Sequence, residues 1–193
     1  MLSRLRARSQ PLARRLARPL KGLGVTADAL TASGLALGLG CGVAVGLGWH
    51  RSSLALGLAA AAADWLDGPL ARERGEETPF GSLTDALADR LVEGAILTGL
   101  ATLSPRLACA CLLLSLLSSY IKARTGLVIP CDNRDWPGWG DRADRMVLLM
   151  ASLWALPSSP VLSRAFLYAL LAIATVGCCQ RLAHARRLIR PPA

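Results

Sequence analysis

The chain has 193 residues, 53% of them hydrophobic, a mean hydropathy of +0.41 and a formal charge of +9. A water-soluble domain of this length is less apolar and more charged, so an ordinary soluble core is excluded. Aromatics make up only 5%, and the Arg residues cluster beside apolar blocks, so the charge points to anionic lipid headgroups and topology signals, not to nucleic acid.

Residues 1–23, MLSRLRARSQPLARRLARPLKGL, mix Arg with Leu at helical spacing and predict an amphipathic helix lying on a membrane surface. A secretory signal peptide is the rival reading. The apolar run that follows is too long for its hydrophobic region, and no clear cleavage site follows that run. Six apolar stretches of membrane-spanning character come next, near 30–49, 54–70, 84–103, 107–121, 146–156 and 161–177. The fifth is short and must borrow residues upstream. A polar loop is predicted over 122–145, where Pro and Gly argue against one continuous helix. Its segment PCDNRDWPGWGD carries extra Trp, Pro and Asp with no assigned purpose. The tail RLAHARRLIRPPA is basic.

The fold class that follows is an all-α membrane protein of six transmembrane helices with an N-terminal amphipathic juxtamembrane helix. Its organisation is a 1–23 cytoplasmic segment, a 24–182 six-span domain and a 183–193 basic tail. Seven Lys or Arg precede the first span, and Arg72, Arg74, Lys122, Arg124, Arg134, Arg142, Arg145, Arg181, Arg186, Arg187 and Arg190 fall on the same side. Only Arg51, Arg106 and Arg164 fall opposite. The positive-inside rule then puts both termini on the cytoplasmic face of a bacterial-type inner membrane. None of the six Cys belongs to a CxxC pair matched elsewhere, which argues against zinc; they read as small buried apolar residues.

Four acids interrupt this apolar chain in DWLDGPLARERGEETPFGSLTDALADR. Asp64 and Asp67 share one helix face, as do Asp85 and Asp89. Between the pairs, Gly68, Gly75, Pro79 and Gly81 let the chain turn back, so two neighbouring helices can aim four carboxylates at one point. Unpaired anions repel strongly in a low dielectric, so positive charge belongs there. Divalent cations suit carboxylate oxygens, and shared carboxylates can hold two metals. Three plainer readings compete: an ion-pair network with Arg72, Arg74 and Arg90, a solvated turn, and a proton or cation path as in transporters.

Written out, the pattern is Asp64-x2-Asp67-Gly68-x2-Ala71-Arg72-x8-Gly81-x3-Asp85-x3-Asp89. It resembles the motif of the CDP-alcohol phosphotransferase family. The resemblance implies transfer of a phosphatidyl group from a CDP-linked lipid such as CDP-diacylglycerol to an alcohol, with release of CMP. It also implies two divalent cations, Mg2+ or Mn2+, held by Asp64, Asp67 and Asp85, with Asp67 bridging. Asp89 matches the base that takes the acceptor's proton and also closes the acidic set as a fourth potential metal ligand. Asp67, Gly68, Ala71, Arg72, Gly81 and Asp85 match positions around the CDP moiety; close helix packing is the plain alternative for the glycines. A homodimer is implied as well. GLGVTADALT resembles the family's approach to its first span, except that Ala27 and Asp28 stand where Pro and Asn are usual. That puts a nucleotide contact by Asp28 in doubt, and Thr26 reads as a helix cap. Glu93 continues the Asp85–Asp89 face, either orienting Arg90 or a pocket group or making a plain buried contact.

SSYIKARTG and GDRADR are similar to segments of bacterial members that use inositol phosphate, which makes Lys122, Arg142 and Arg145 candidates to bind an acceptor's phosphate. Topology alone would also place cations there. Inositol phosphate, glycerol 3-phosphate, another polyol phosphate and serine stay open as acceptors. A small cation or proton transporter built on the same carboxylates, and an inactive scaffold, are the competing readings of the chain.

Overall fold

The computed structural model describes residues 3–129, 136–137 and 139–189. Among the described residues the chain forms seven helices and no strand: α1 (Ser3–Gly22), α2 (Ala27–Gly46), α3 (His50–Arg74), α4 (Pro79–Leu100), α5 (Pro105–Val128), α6 (Arg142–Ala155) and α7 (Pro160–Ile189). They fall into two compact units, which divide after Thr102.

Local chemistry sets the ends. Thr26 caps α2 by accepting the Ala29 N–H at 3.2 Å. α3 stops at Gly75, whose φ of 69° is left-handed backbone that suits glycine. Thr78 then caps α4 by accepting the Gly81 N–H at 2.9 Å, and Pro79 opens the helix where no N–H is needed. The Gly75–Pro79 region is therefore the predicted turn, whereas Gly68 lies inside α3 and Gly81 inside α4.

In the unit Ser3–Thr102, α2 packs along both α3 and α4, and α1 packs on α3. Ala13 and Ala17, one turn apart on α1, are buried. Lys21 Nζ donates to the Glu73 carbonyl at 2.5 Å, which ties the end of α1 to the end of α3. Small residues let α2 approach closely. A Cβ on Gly34 would meet Ala63 Cβ of α3 at 3.2 Å, one on Gly38 would overlap Val92 of α4, and one on Gly42 would overlap the Ala95 backbone. This is the small-residue interface of membrane helices.

In the unit that begins at Leu103, α5 and α6 both pack on α7. Leu149, Leu153, Leu167 and Leu170 are fully buried there, and the Ser152 and Ser163 hydroxyls lie 2.8 Å apart. Gly140, with φ 66°, sits against the Ile173 carbonyl where a Cβ would be only 2.5 Å from the oxygen.

Two boundaries differ from expectation. The predicted loop 122–145 is shorter, because α5 runs on through Val128 and carries Lys122 and Arg124 in helix. Lys and Arg are good helix formers; the helix ends at Ile129, which is extended (φ −139°, ψ 142°) and precedes Pro130, where steric clash disfavours helix. α6 begins at Arg142. Likewise α7 continues to Ile189, so most of the expected tail is helical. Most of the Trp- and Pro-rich segment lies outside the described residues. Cys109 and Cys179 are exposed, not buried as expected, whereas Cys41, Cys111 and Cys178 are buried.

Among the described residues three helices, α2, α5 and α7, are long and apolar enough to cross a membrane. α3 and α4 carry the acids and arginines. α6 has 14 residues, about 21 Å of helix against a hydrocarbon core of about 30 Å. Leu39, Val43, Leu113, Leu117, Tyr168 and Val176 are all exposed, as suits side chains facing lipid.

Candidate active site

Asp64 and Asp67 sit in the second half of α3, and Asp85 in the second turn of α4. Each offers a carboxylate oxygen, and these three oxygens lie within 4.8 Å of one another. Asp67 is buried; Asp64 and Asp85 are half-buried. Oxygens sharing one small cation at bond lengths near 2.1 Å can stand at most about 4.2 Å apart, so slight side-chain movement suffices. Among the described residues this trio is the one acidic group placed to hold a metal ion, and its all-oxygen donors suit a hard divalent cation.

Asp89, expected beside them as a fourth ligand, is not in this group. It lies one turn further along α4, about 6 Å up the helix axis, and is buried. One of its carboxylate oxygens is 3.3 Å from Arg90 Nη1, which also donates to the Ala86 carbonyl at 3.0 Å. Glu93, a further turn along, is buried as well.

Asp67 is held from two sides. Thr31 Oγ1 of α2 donates to its Oδ2 at 2.9 Å, and the Gly68 N–H donates to its Oδ1 at 2.5 Å. Beside it opens a cavity of about 220 Å3 lined by the first turns of α2, the end of α3 and the start of α4. All six residues matched to the CDP moiety, Asp67, Gly68, Ala71, Arg72, Gly81 and Asp85, lie on its wall. A Cβ on Gly68 would stand 3.7 Å from an Arg72 guanidinium nitrogen, so the glycine leaves that space to the arginine and the cavity. Arg72 also lies 3.9 Å from Glu77 across an exposed pair. Asp28 lines the cavity too, as do Thr31, Glu76, Glu77, Thr78 and Ser82, none of which was singled out for this role. Spacing could have flagged Thr31, one turn beyond Ala27; nothing local marks the glutamates.

The candidate acceptor residues belong to the other unit. Lys122 is half-buried on α5, one turn from Ser118. Arg142 and Arg145 share a face of α6; Arg145 is buried and donates to the Gly140 carbonyl at 2.7 Å. Arg181 of α7 joins them, though as a tail residue it read only as a topology charge. It is buried, donates to the Ser118 carbonyl at 2.9 Å and to Ser118 Oγ at 2.6 Å, and pairs with Asp141 at 2.6 Å. Arg145 is near enough to repel it. Partners 40 and 63 residues away give no local signal in the sequence.

An all-helical membrane protein with a three-carboxylate centre beside a small cavity suits metal-dependent phosphoryl transfer, and sequence comparison names the class. Residues 24–177 match the CDP-alcohol phosphatidyltransferase family, and the chain belongs to that family; it is a transferase of phospholipid synthesis. It is 34% identical over 173 residues to the phosphatidylinositol phosphate synthase of Mycolicibacterium smegmatis, covering 81% of this chain and 74% of that protein. The Mycobacterium tuberculosis phosphatidylinositol phosphate synthase is 36% identical over 143 residues, 62% of this chain; the match spans only 59% of that relative's length. The archaetidylinositol phosphate synthase of Methanothermobacter thermautotrophicus is 31% identical over 150 residues, 74% of this chain and 73% of that one. In structure the chain resembles the M. tuberculosis enzyme with CDP-DAG bound, at a TM-score of 0.79 and 25% identity over 95% of this chain and 99% of the other. The same enzyme in complex with manganese and citrate superposes at a TM-score of 0.74, with 26% identity over 90% of this chain and 88% of the other. The divalent cation of that structure accords with the carboxylate trio here.

Proposed function

We propose that this enzyme transfers a phosphatidyl group from CDP-diacylglycerol to inositol phosphate. The observation that carries the reading is the meeting of Asp64, Asp67 and Asp85 at the edge of a cavity walled by all the residues matched to the CDP moiety. The acceptor assignment draws on the relatives, which are inositol phosphate enzymes, and on the cluster Lys122, Arg142, Arg145 and Arg181, whose cations suit a phosphate monoester.

In this reading Asp64, Asp67 and Asp85 hold two divalent cations, Mg2+ or Mn2+. Bound there, the cations supply positive charge against the diphosphate and the departing CMP. Gly68 and Ala71 leave room for CDP against the backbone of α3, and Arg72 reaches the nucleotide side. The acceptor oxygen forms a bond to the phosphatidyl phosphorus, the bond from that phosphorus to the bridging oxygen breaks, and CMP leaves with that oxygen. Asp89 takes the acceptor's hydroxyl proton. Its tether to Arg90 aims the carboxylate, and positioning of this kind supplies much of the rate.

The remaining organisation follows the charge pattern. α2 to α7 make six spans within a 24–182 domain, α1 lies at the interface, and both termini and the acids face the cytoplasm across an inner membrane. The enzyme acts as a homodimer. The test is CMP release by purified protein in lipid with CDP-diacylglycerol and Mn2+, each acceptor supplied singly. Release with inositol phosphate alone supports the reading. Release with glycerol 3-phosphate or serine instead overturns the acceptor, and no metal-dependent release with any acceptor overturns the reaction.

A further inference from the structure

Asp67 is the central acid of the site, and its orientation depends on a residue from another helix. Its two carboxylate oxygens are engaged separately: Oδ1 by the N–H of the next residue, Gly68, and Oδ2 by the Thr31 hydroxyl of α2. The Gly68 contact moves with Asp67, because both belong to α3. Thr31 is therefore the external reference that fixes the carboxylate's rotation.

The Thr31 hydroxyl has one proton and two acceptors in reach, Asp67 Oδ2 at 2.9 Å and the Ala27 carbonyl at 3.2 Å. The second is the common back-bond of a helical threonine. The first acceptor is closer and charged, so the proton goes to it. The packing around Thr31 supports this geometry: three residues along α2, Gly34 brings α2 against Ala63 of α3, one turn before Asp67. The small-residue approach of the two helices is what brings the hydroxyl within range. Thr31 also lines the cavity, so the same side chain borders both the nucleotide space and the acidic trio.

We infer that Thr31 is a positioning residue that sets the orientation of Asp67 for divalent-cation binding. The inference rests on the proposed metal reading of the trio. A hydrogen-bonding partner behind a ligating carboxylate limits its rotation and turns its remaining lone pairs toward the ion.

The test is Mn2+ binding to purified protein in lipid nanodiscs, read from the free-Mn2+ signal in electron paramagnetic resonance, for the unaltered chain, Thr31→Val and Thr31→Ser. Valine keeps the shape and removes the hydroxyl; serine keeps the hydroxyl and removes the methyl. Thr31→Val should weaken Mn2+ binding about 10- to 100-fold, the range for loss of such supporting partners. Thr31→Ser should recover most of the lost affinity. CMP release by Thr31→Val should likewise require a higher Mn2+ concentration for half-activation. Thr31→Val binding as well as the unaltered chain would overturn the inference while leaving the metal reading intact. Thr31→Ser binding as weakly as Thr31→Val would also overturn it, since packing and not the hydroxyl would then be at issue. Absence of Mn2+ binding by the unaltered chain would remove the metal reading, and this inference with it.

Discussion

Gly42→Ala tests whether the spacing of α2 and α4 governs the site. A methyl on Gly42 would overlap the carbonyl carbon and oxygen of Ala95 and stand 2.9 Å from its Cβ. Carbon atoms rest about 3.5–4.0 Å apart, so the two backbones must part by roughly 1 Å. The obstacle is backbone, which has no rotamer to change. Overpacking of this kind costs about 1–3 kcal/mol. Ala95 lies ten residues from Asp85, about 15 Å along the same helix, so the shift also alters how Asp85 faces Asp67. Misplacement by 1 Å far from the chemistry can cost about 100-fold in rate. The control is Gly40→Ala in the same helix, where a Cβ meets only Leu56 Cδ1 at an ordinary 3.8 Å. There alanine should match or raise stability, by up to about 1 kcal/mol from helix propensity. CMP release and thermal unfolding in detergent would be measured for both. Gly42→Ala should lose most of its activity and melt earlier, and Gly40→Ala should do neither. Equal behaviour of the two variants would refute the argument that close α2–α4 contact sets the site.

Asp89→Asn should lower turnover by about 100- to 10,000-fold, the range for a lost general base, while CDP-lipid binding persists; near-normal turnover would remove Asp89 from that role. Lys122→Ala or Arg142→Ala should chiefly raise the KM for inositol phosphate, and unchanged acceptor kinetics would return both cations to topology. Arg181→Lys keeps one charge but cannot serve Ser118 and Asp141 together as the guanidinium does, so it should raise the acceptor KM and lower thermal stability by about 1–3 kcal/mol. A melt and acceptor KM both unchanged would sink that claim.

The motif acids were legible because their chemistry is local: the three- and four-residue spacings put each pair on one face, and Gly75 and Pro79 mark the reversal between them. That Asp89 stands apart from the trio was not legible, because a shared face does not say how far along its axis a second helix reaches. The cap at Thr26 was readable from its residue type, whereas the role of Thr31 needed α3 in place. In the other unit, the end of α5 is set by Pro130 and not by the first charged residue, so a run of Lys and Arg that looked like loop is helix. Arg181 was hidden for a different reason: its partners Ser118 and Asp141 come from two other segments, and no local pattern encodes such a convergence.

The two kinds of helix in the acidic unit divide the work. α2 is apolar and carries little chemistry beyond Asp28 and Thr31, yet it packs along both helices that bear the acids. Among the described residues α3 and α4 share no comparably extended packing with each other. Three carboxylates of these two helices already stand within 4.8 Å of one another and repel, so the packing of α2 on both helices supplies attraction that α3 and α4 do not give each other. With α2 as common support, the acid-bearing helices converge where the metal-binding oxygens are needed, and glycines set the distance along the remaining length. The same helix that fixes the separation of Asp67 from Asp85 also places Thr31 against Asp67, so a change in α2 packing should alter metal affinity and turnover together. A change confined to Asp89 should alter turnover alone. Measuring Mn2+ affinity beside rate for Gly42→Ala and Asp89→Asn separates the two: loss of metal binding in the first and retention in the second is the outcome this arrangement requires.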